Sequence, residues 1–521
     1  MKTLFTLMVF FYSLASISQT PGIPMFDTSG KQYIEYIPGN LPIIISAPHG
    51  GLKLSGLTAF RENASGTPVS TNFPDNDPTL PDRSCGTVEM DDNTDVLIRK
   101  IQKAIFDATG CYAHVIINNL HRTKLDPNRI ISEAACGDAD AQFYFNEYHR
   151  FIDMASADVE NTYGKGLYID LHGQSHAIPR IEIGYRITAT AMNGTNLNTV
   201  NASQTNIANL IADNLNNLTA EQLMRGNSSL GALFQNHSNT SYAGLGFSGC
   251  GRVKGYRAIP SNFDGGSTSC DDMHPDSNAY FDGFFYDSER HGSGPAASDG
   301  KGGGGHVDGI MTEVNRRVRD MGSPYDARTA TLFQFAIDYG SVLVNYIDTH
   351  YNDYSAFTYS STTFDGSVTP TATPTITGSS AGAFTSTPAG LVINSSTGAI
   401  DVTNSADATY TVTYTVGCNL YKTAQTIEIN NNTLSVKDNE LERKSFKIFP
   451  NPATDVVHYI FPKQVSRVEI FNLLGQRFHA QNLSNTVEGQ VDVKGLYRGN
   501  YIMVFYDDND IAIARKMILK N

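Results

Sequence analysis

The chain has 521 residues, which is too long for a single hydrophobic core and predicts about three or four domains. The net charge is −14 and the sequence has no basic tract, which argues against a protein that binds nucleic acid or anionic membranes. The six cysteines are scattered without a CxxC pair, so a zinc-finger type of site is disfavoured. Disulfides are expected in an exported protein, and Cys250 with Cys270 is the preferred pair.

The first 18 residues have the pattern of a secretory signal peptide. Lys2 supplies the positive charge, residues 4–14 form an apolar stretch, and small residues at 16–18 suit a cleavage site. The apolar stretch is too short to span a bilayer, and no later run is long and apolar enough to do so. The pattern predicts an exported, soluble protein without a membrane span.

Residues 23–352 alternate strand-like runs with helix-like stretches, which predicts an α/β domain with a mostly parallel, open sheet flanked by helices. Continuous apolar runs are typical of strands that are buried on both faces. The strand-like runs cover 41–47, 115–120, 167–171 and 310–312, and the predicted helices cover 93–109, 142–158, 204–218 and 327–350. Gly110 is expected at the position just after the first helix. Because ligands bind outside the carboxyl ends of strands in such sheets, we expect the polar residues that follow these runs to meet in one crevice.

Two histidines stand at such strand ends. His49 follows the first run and precedes two glycines, and His172 follows the third run and precedes Gly173. A lone histidine there would be structural more often, but two in the same context favour a metal pair. His176 lies four residues after His172, yet the strand and Gly173 argue against a helical HExxH motif. We therefore expect His176 to contact substrate or to support a ligand.

A catalytic zinc site uses three protein ligands and keeps one position open. The acidic segment 89–95 is the candidate source of a third, carboxylate ligand. The alternative is that these residues only cap the helix that follows.

Several arginines are candidates for binding a substrate carboxylate, because a guanidinium pairs with a carboxylate in a bidentate way. Arg122, Asn128 and Arg129 follow the second strand; the alternative for this cluster is a structural salt-bridge set with Asp126. Arg290 precedes a glycine run at 302–305, which predicts a second anion contact on a mobile loop or lid.

Glu313 ends the last predicted strand of the α/β domain. A carboxylate in this position can act as the general base for a metal-activated water. The alternative is a salt bridge from Glu313 to Arg316 or Arg317.

Residues 40–350 resemble the N-formylglutamate amidohydrolase family, which belongs with the zinc carboxypeptidase and aspartoacylase-like hydrolases. The matching segments are SAPHGG at 46–51, DDNT at 91–94, HR at 121–122, DPNR at 126–129, DLHG at 170–173 and IMTEVNR at 310–316. The resemblance implies a zinc carboxypeptidase-like fold, zinc on His49 and His172, and Glu313 as the base. It also implies a substrate carboxylate held by residues 122, 128 and 129. The His-x-x-Glu ligand pair of the carboxypeptidases is missing, because Leu52 stands three residues after His49, and Asp91 is the expected third ligand.

The composition changes after Tyr354. Residues 355–430 are rich in Thr, Ser and Gly and alternate strictly at 409–416, which predicts a small Ig-like β-sandwich, and residues 431–444 form a polar linker. Residues 445–521 resemble the C-terminal sorting domain of the type IX secretion system. The matching segments are FPNPA at 449–453, VEIFNLLG at 468–475, GLYRGNY at 495–501 and a Lys-rich final strand. This resemblance implies the type IX machinery as a partner and a secreted or cell-surface protein of a Gram-negative bacterium.

The sequence thus predicts a secreted zinc-dependent hydrolase of amide bonds that acts on carboxylate-bearing substrates, namely small N-formyl or N-acyl amino acids or peptide C-termini. Formylglutamate breakdown is normally intracellular, so export favours a carboxypeptidase or peptide deacylase. The alternative is a surface-exposed binding or adhesive protein with a catalytically inactive hydrolase fold. Retention of His49, His172 and Glu313 together disfavours that alternative.

Overall fold

The computed structural model describes residues 19–51, 80–200, 202–239, 250, 254–265, 270–274, 285–319, 331–431 and 446–521. The chain divides into two compact units, residues 1–431 and 432–521. The predicted signal peptide, most of the predicted linker and the start of the helix predicted at 327 lie outside the described residues. Within the described part of the chain, no helix combines the length and apolarity needed to cross a membrane.

In the described part of the first unit, eight strands form one mixed sheet in the order β1-β2-β4-β3-β5-β8-β6-β7. The four central strands β4, β3, β5 and β8 are parallel, whereas β2 and β6 flank them in antiparallel orientation. The strands are β1 (Met25–Phe26), β2 (Ile34–Ile37), β3 (Ile43–Ala47), β4 (His114–Asn118), β5 (Gly166–Gln174), β6 (Ile181–Gly184), β7 (Ala258–Ile259) and β8 (Val307–Asn315). The predicted α/β class with a largely parallel centre is confirmed.

Helices pack on both faces of this sheet. Alternate residues of β3 belong to two different apolar clusters: Ile43 and Ile45 pack with helices α1 and α9, and Ile44 packs with α3. Burial on both faces is why the central strands are continuous apolar runs in the sequence. The helices are α1 (Thr94–Thr109), α2 (Ile131–Ala134), α3 (Ala139–Tyr163), α4 (Ala189–Met192), α5 (Ala208–Ala212), α6 (Ala220–Arg225), α7 (Leu230–Gln235), α8 (Tyr286–His291) and α9 (Leu332–His350).

The ends of two predicted helices show what decides a helix boundary. Helix α1 ends at Gly110, as predicted, because its φ of 73° is a left-handed conformation that glycine adopts without strain. The helix predicted at 204–218 is wrong, since only the five residues of α5 are α-helical there. The Asn214 side chain donates to the carbonyl of Leu210 and accepts from the amide of Leu218, at 3.1 and 2.7 Å. Such side-chain bonds to the backbone compete with helical hydrogen bonds.

Residues 355–431 of the first unit are β-rich. The strands β10, β16, β15 and β13 form a four-stranded sheet, and β11-β14 and β12-β9 are two-stranded. Along β15 every second residue is buried, from Tyr410 to Val416, as the alternation predicts. The strands are β9 (Phe357–Thr358), β10 (Thr363–Phe364), β11 (Thr371–Ala372), β12 (Thr375–Ile376), β13 (Ala383–Thr387), β14 (Ile400–Asp401), β15 (Ala408–Val416) and β16 (Tyr421–Ile429).

Disulfides join distant parts of the first unit. Cys111 with Cys418 links the end of α1 to the β-rich region, and Cys85 with Cys136 links the segment before α1 to the turn before α3. The predicted pair of Cys250 and Cys270 is confirmed. The Cys111–Cys418 bond and a shared apolar core tie the predicted sandwich to the α/β region within one unit.

The described part of the second unit is an antiparallel β-structure. Its strands are β17 (Lys447–Phe449), β18 (Val456–Asn472), β19 (Arg477–Asp492), β20 (Gly499–Tyr506) and β21 (Ala512–Lys520). Its core is formed by alternating apolar residues of these strands, including Val457, Tyr459, Phe461, Met503, Phe505 and Ile518. This unit therefore has a hydrophobic core of its own.

Candidate metal centre

The site lies at the carboxyl end of the parallel strands. His49 lies two residues beyond β3, His172 lies near the end of β5, and Asp91 lies just before α1. The backbone amide of Asp91 donates to the carbonyl of His49 at 3.1 Å, which ties the loop before α1 to the end of β3. The next two strands of the chain, β4 and β5, lie on opposite sides of β3. The site therefore occupies a topological switch point, which is where open α/β sheets bind ligands.

The three side chains converge on one point. One nitrogen or oxygen atom from each of His49, Asp91 and His172 lies within 4.8 Å of the other two. Oδ2 of Asp91 is 3.3 Å from Nδ1 of His49 and 3.0 Å from Nδ1 of His172. All three residues are buried, and Nδ1 of His49 makes no hydrogen bond of acceptable geometry with the described residues. A buried nitrogen of this kind needs a partner.

A carboxylate lies at the outer nitrogen of each imidazole, and of the two only Asp126 makes a hydrogen bond of acceptable geometry there. Nε2 of His49 is 2.7 Å from Oδ1 of Asp126, and Nε2 of His172 is 3.0 Å from Oδ2 of Asp170. A carboxylate on the outer nitrogen fixes the orientation of an imidazole and raises the basicity of its other nitrogen. In both histidines the nitrogen that remains is Nδ1, and both Nδ1 atoms face Asp91.

The electrostatics keep Asp91 ionised. Burial alone would raise the pKa of this carboxyl, but the hydrogen bond from His172 and the nearby imidazole of His49 hold it well below its usual range. Burial likewise disfavours a charged His172, but the Asp170 carboxylate and the bond to Asp91 raise the pKa of His172 well above its usual value. The cluster therefore carries carboxylate charge that a cation or a proton must balance.

Glu313 lies beside His172, because the register of β5 with β8 pairs these two residues. Its Oε2 atom is buried and makes no hydrogen bond within the described part of the chain. Burial, with the Asp91 and Glu182 carboxylates, raises the pKa of Glu313 to about 8, although His172 and Arg319 act against that rise. A carboxyl with a pKa near neutrality can both accept and donate a proton, as a general base and acid must.

A cavity of about 480 Å³ opens onto these groups, and below it is called the central cavity. His49, Asp91, His172 and Glu313 all line it. The other lining residues are Thr87, Glu89, Met90, Arg122, Asn128, Arg129, Gly173, Gln174, Ser175, His176 and Phe285.

The predicted substrate-binding residues divide into different roles. Arg129 lines the central cavity, donates to the carbonyl of Asn128 at 2.6 Å, and has no carboxylate partner among the described residues. Arg122 instead binds Oδ2 of Asp126 through Nε at 2.9 Å, so it supports the carboxylate that orients His49. The side-chain amide nitrogen of Asn128 lies 2.9 Å from Nε2 of His172, and its Oδ1 accepts a hydrogen bond from the backbone amide of Asp287. Of these three residues, Arg129 is the one available to an anion.

His176 lies at the rim of the central cavity, with Nδ1 3.1 Å from Oε1 of Glu182 and the side chain about a third exposed. The prediction that Arg290 contacts substrate is wrong, because this residue does not line the central cavity. It donates to the hydroxyl of Tyr286 at 3.1 Å and lies over the ring of Phe145, so it belongs to the contacts of α8 with α3.

The glycine run predicted as a lid is tied down by backbone hydrogen bonds. The amide of Gly303 donates to the carbonyl of Arg290 and that of Gly304 to the carbonyl of Gly294, at 3.0 and 2.7 Å. A side chain at Gly302 would collide with the carbonyl of Arg290, so glycine is needed there for close packing.

Arg319 is a site residue that the sequence reasoning missed. Its guanidinium is buried and donates to three backbone carbonyls, those of Asp92, Val314 and Gln174. Asp92 follows Asp91, Val314 follows Glu313, and Gln174 is two residues after His172. One side chain thus ties together the three segments that carry site residues.

Gly173 makes room for that guanidinium, since a Cβ at this position would collide with it. Asp126 and Asp170 are further site residues: Asp126 was predicted only as a salt-bridge partner of the arginine cluster, which it is for Arg122, and Asp170 had no predicted role of its own. The sequence signal for Arg319 was the RRVR segment directly after β8. The signal for Asp170 was its position two residues before His172 on the same strand.

Residues 447–520 match the model of the secretion system C-terminal sorting domain. The second unit is a type IX sorting domain. The sorting domain directs the protein to secretion or to the cell surface of a bacterium of the Bacteroidetes, as the sequence predicts. It also implies an interaction with the type IX secretion machinery.

No curated protein matches the chain. Among solved structures, one similar chain is PorZ, described as an essential bacterial surface component of the type IX secretion system of Porphyromonas gingivalis. The identity is 16% and the TM-score is 0.13, and the match covers 21% of this chain and 15% of that chain. The resemblance of residues 40–350 to N-formylglutamate amidohydrolases stays a prediction from the motifs.

Proposed function

We propose that the protein is a secreted zinc-dependent hydrolase of amide bonds that acts on carboxylate-bearing substrates. The observation that carries the proposal is the convergence of His49, Asp91 and His172 on one point, with Glu313 in the same cavity. Candidate metal ligands beside a buried carboxyl are an arrangement that suits metal-assisted hydrolysis.

The donor set suits zinc. Two imidazole nitrogens and one carboxylate oxygen are ligands that catalytic zinc sites use, and they leave a fourth position open. Asp126 and Asp170 orient the two imidazoles from behind, which favours metal affinity. When bound, zinc would lower the pKa of a water molecule and polarise a substrate carbonyl.

Glu313 supplies the proton transfer. Its buried carboxylate accepts a proton from the attacking water as the new C–O bond forms, and it donates that proton to the leaving nitrogen as the C–N bond breaks. The products are a carboxylic acid and an amine, and the carboxylate is restored for the next turnover.

Arg129 determines the substrate class. It is the cavity-lining arginine without a carboxylate partner among the described residues, and its fork of N–H donors matches a carboxylate. We therefore assign it the free carboxylate of an N-acyl amino acid or of a peptide C-terminus. Export favours a carboxypeptidase or peptide deacylase over an enzyme of intracellular amino-acid breakdown.

The deciding experiment is metal analysis of the full-length protein after incubation with zinc and gel filtration. We expect one zinc per chain in the wild type, and none in His172→Ala, which removes a ligand nitrogen while keeping the folded content measured by circular dichroism. His306→Ala is the matched control, because this histidine is exposed and does not line the central cavity. Absence of zinc from the wild type would refute the proposal and favour a metal-free binding protein.

A further inference from the structure

A second cavity of about 550 Å³ lies beside the central cavity. Ser175 and His176 line both cavities, so the two are continuous along the end of β5. The remaining lining residues of the second cavity are Asp92, Asn93, Ala177, Asn315, Arg316, Arg317 and Arg319.

The second cavity is rich in positive charge. Among the described residues, three arginines, Arg316, Arg317 and Arg319, line it against one aspartate, Asp92. The buried guanidinium of Arg319 bonds to backbone carbonyls, and neither Arg319 nor Arg316 forms an ion pair with a carboxylate among the described residues. In a protein of net charge −14, this concentration of arginine is a local exception that favours an anion.

The two cationic ends line different cavities: Arg129 lines the central cavity and not the second, whereas Arg316 and Arg317 line the second and not the central one. The strand order is β4-β3-β5-β8: Arg129 comes after β4, His49 after β3, His172 near the end of β5, and Arg316 directly after β8. A substrate whose carboxylate binds Arg129 and whose amide lies at the histidines would therefore extend its acyl group toward β8. The second cavity begins there, two residues beyond Glu313.

We propose that the second cavity is an acyl-side subsite for a negatively charged acyl group. Preferred substrates then carry one carboxylate on each side of the scissile amide, as in N-dicarboxyl-acyl amino acids or peptides with an acidic residue before the bond. This inference rests on the proposed function, because it uses the same central cavity and the same direction of substrate binding. Arg316 recognises the acyl-side anion, Arg317 adds to the positive potential of the cavity, and Arg319 holds the wall of the cavity in place.

The test compares equilibrium binding of near-isosteric ligands to full-length Glu313→Gln protein in zinc-containing buffer, by isothermal titration calorimetry. The pairs are N-succinyl-L-alanine with N-butyryl-L-alanine, and N-glutaryl-L-alanine with N-pentanoyl-L-alanine. The members of each pair differ in a terminal carboxylate against a methyl group. We expect the carboxylate member to bind about tenfold more tightly in at least one pair, the effect of one new charge-assisted contact.

The double variant Arg316→Gln/Arg317→Gln, made in the same background, should reduce that preference to below about threefold. Arg498→Gln is the matched control, because this arginine is exposed and lies in the sorting unit; it should keep the full preference. Equal affinities of the two members in both pairs would overturn the subsite, and so would the absence of binding by all four ligands. A preference that survives in the double variant would overturn it as well.

Turnover separates this inference from the function on which it rests. Wild-type protein that hydrolyses N-butyryl-L-alanine as well as N-succinyl-L-alanine, with equal binding of both, would leave the hydrolase standing and remove the subsite. Selective binding of the succinyl ligand without hydrolysis of any N-acyl amino acid would keep the anion site and remove the hydrolase.

Discussion

Replacement of Arg319 by methionine tests whether one side chain positions the whole metal centre. The change keeps most of the aliphatic volume but removes the donors to the carbonyls of Asp92, Val314 and Gln174. We expect the segments that carry Asp91, Glu313 and His172 to lose their common anchor. Metal affinity should then fall, although no metal ligand has been changed.

The magnitude follows from the contacts. Hydrogen bonds with a charged donor contribute about 1.5–3 kcal/mol each, and three buried carbonyls lose their donor. Removal of a buried cation also removes its desolvation cost, so we expect a net loss of about 3–5 kcal/mol in the free energy of unfolding. Loss of a group that supports metal ligands from outside typically lowers metal affinity by about 10–100-fold.

The assay is zinc affinity, measured by competition with a chromogenic chelator, alongside urea unfolding of the same protein. Arg99→Met is the matched control, because Arg99 is equally buried but pairs with Glu35 in a bidentate way through contacts of 2.6 and 2.8 Å. This control should lose stability to a similar degree and keep wild-type zinc affinity. Equal zinc affinities of Arg319→Met and Arg99→Met would refute the positioning role.

Three further predictions concern individual carboxyl and guanidinium groups. Glu313→Gln should keep zinc and lose turnover by about 10²–10⁴-fold, and a loss below about tenfold would assign Glu313 a structural role. Arg129→Met should remove most of the difference in kcat/KM between an N-acyl amino acid and its methyl ester, while equal wild-type values for acid and ester would refute the binding of a substrate carboxylate by Arg129. Burial raises the pKa of Asp308 from 3.8 to about 6 against its hydrogen bonds, so the folded state binds the proton more tightly and this group lowers stability as pH rises from about 4 to about 6. Urea unfolding across that range should show about 3 kcal/mol less loss in Asp308→Asn than in the wild type.

The strand-end residues could be predicted because a strand that is buried on both faces is visible in one sequence as a continuous apolar run. Each apolar run ends where the next polar side chain must leave the sheet, and parallel strands bring those ends to one edge. The structure brings His49, His172 and Glu313 together at that edge. Asp91 required the resemblance to a family, because an acidic residue before a helix has a capping role as its ordinary explanation.

The supporting residues could not be predicted, because their roles depend on contacts between distant parts of the chain. Asp126 is 77 residues from His49, and the Arg319 guanidinium reaches the carbonyl of Asp92 across 227 residues. The hydrophobic periodicity of a sequence carries no information about such long-range contacts. The prediction that Arg290 contacts substrate was wrong for the same reason. The orientation of α8 against α3 decides where this side chain lies, and a nearby glycine run gives no information about that orientation.

The same cluster of side chains has a metal-free interpretation, and one atom separates it from the zinc site. A protonated His172 could lie between Asp91 at Nδ1 and Asp170 at Nε2 as a stable ion triad. In that arrangement Nδ1 of His49 stays buried without a hydrogen bond, which costs about 1–3 kcal/mol, and Oε2 of Glu313 stays unpaired as well. A divalent cation among the three ligands would use Nδ1 of both histidines and balance the charge of Asp91. A water beside that cation would give Oε2 of Glu313 a partner. The zinc site therefore gives a partner to each of these buried atoms, whereas the ion triad leaves two without one, and for that reason we favour the zinc site.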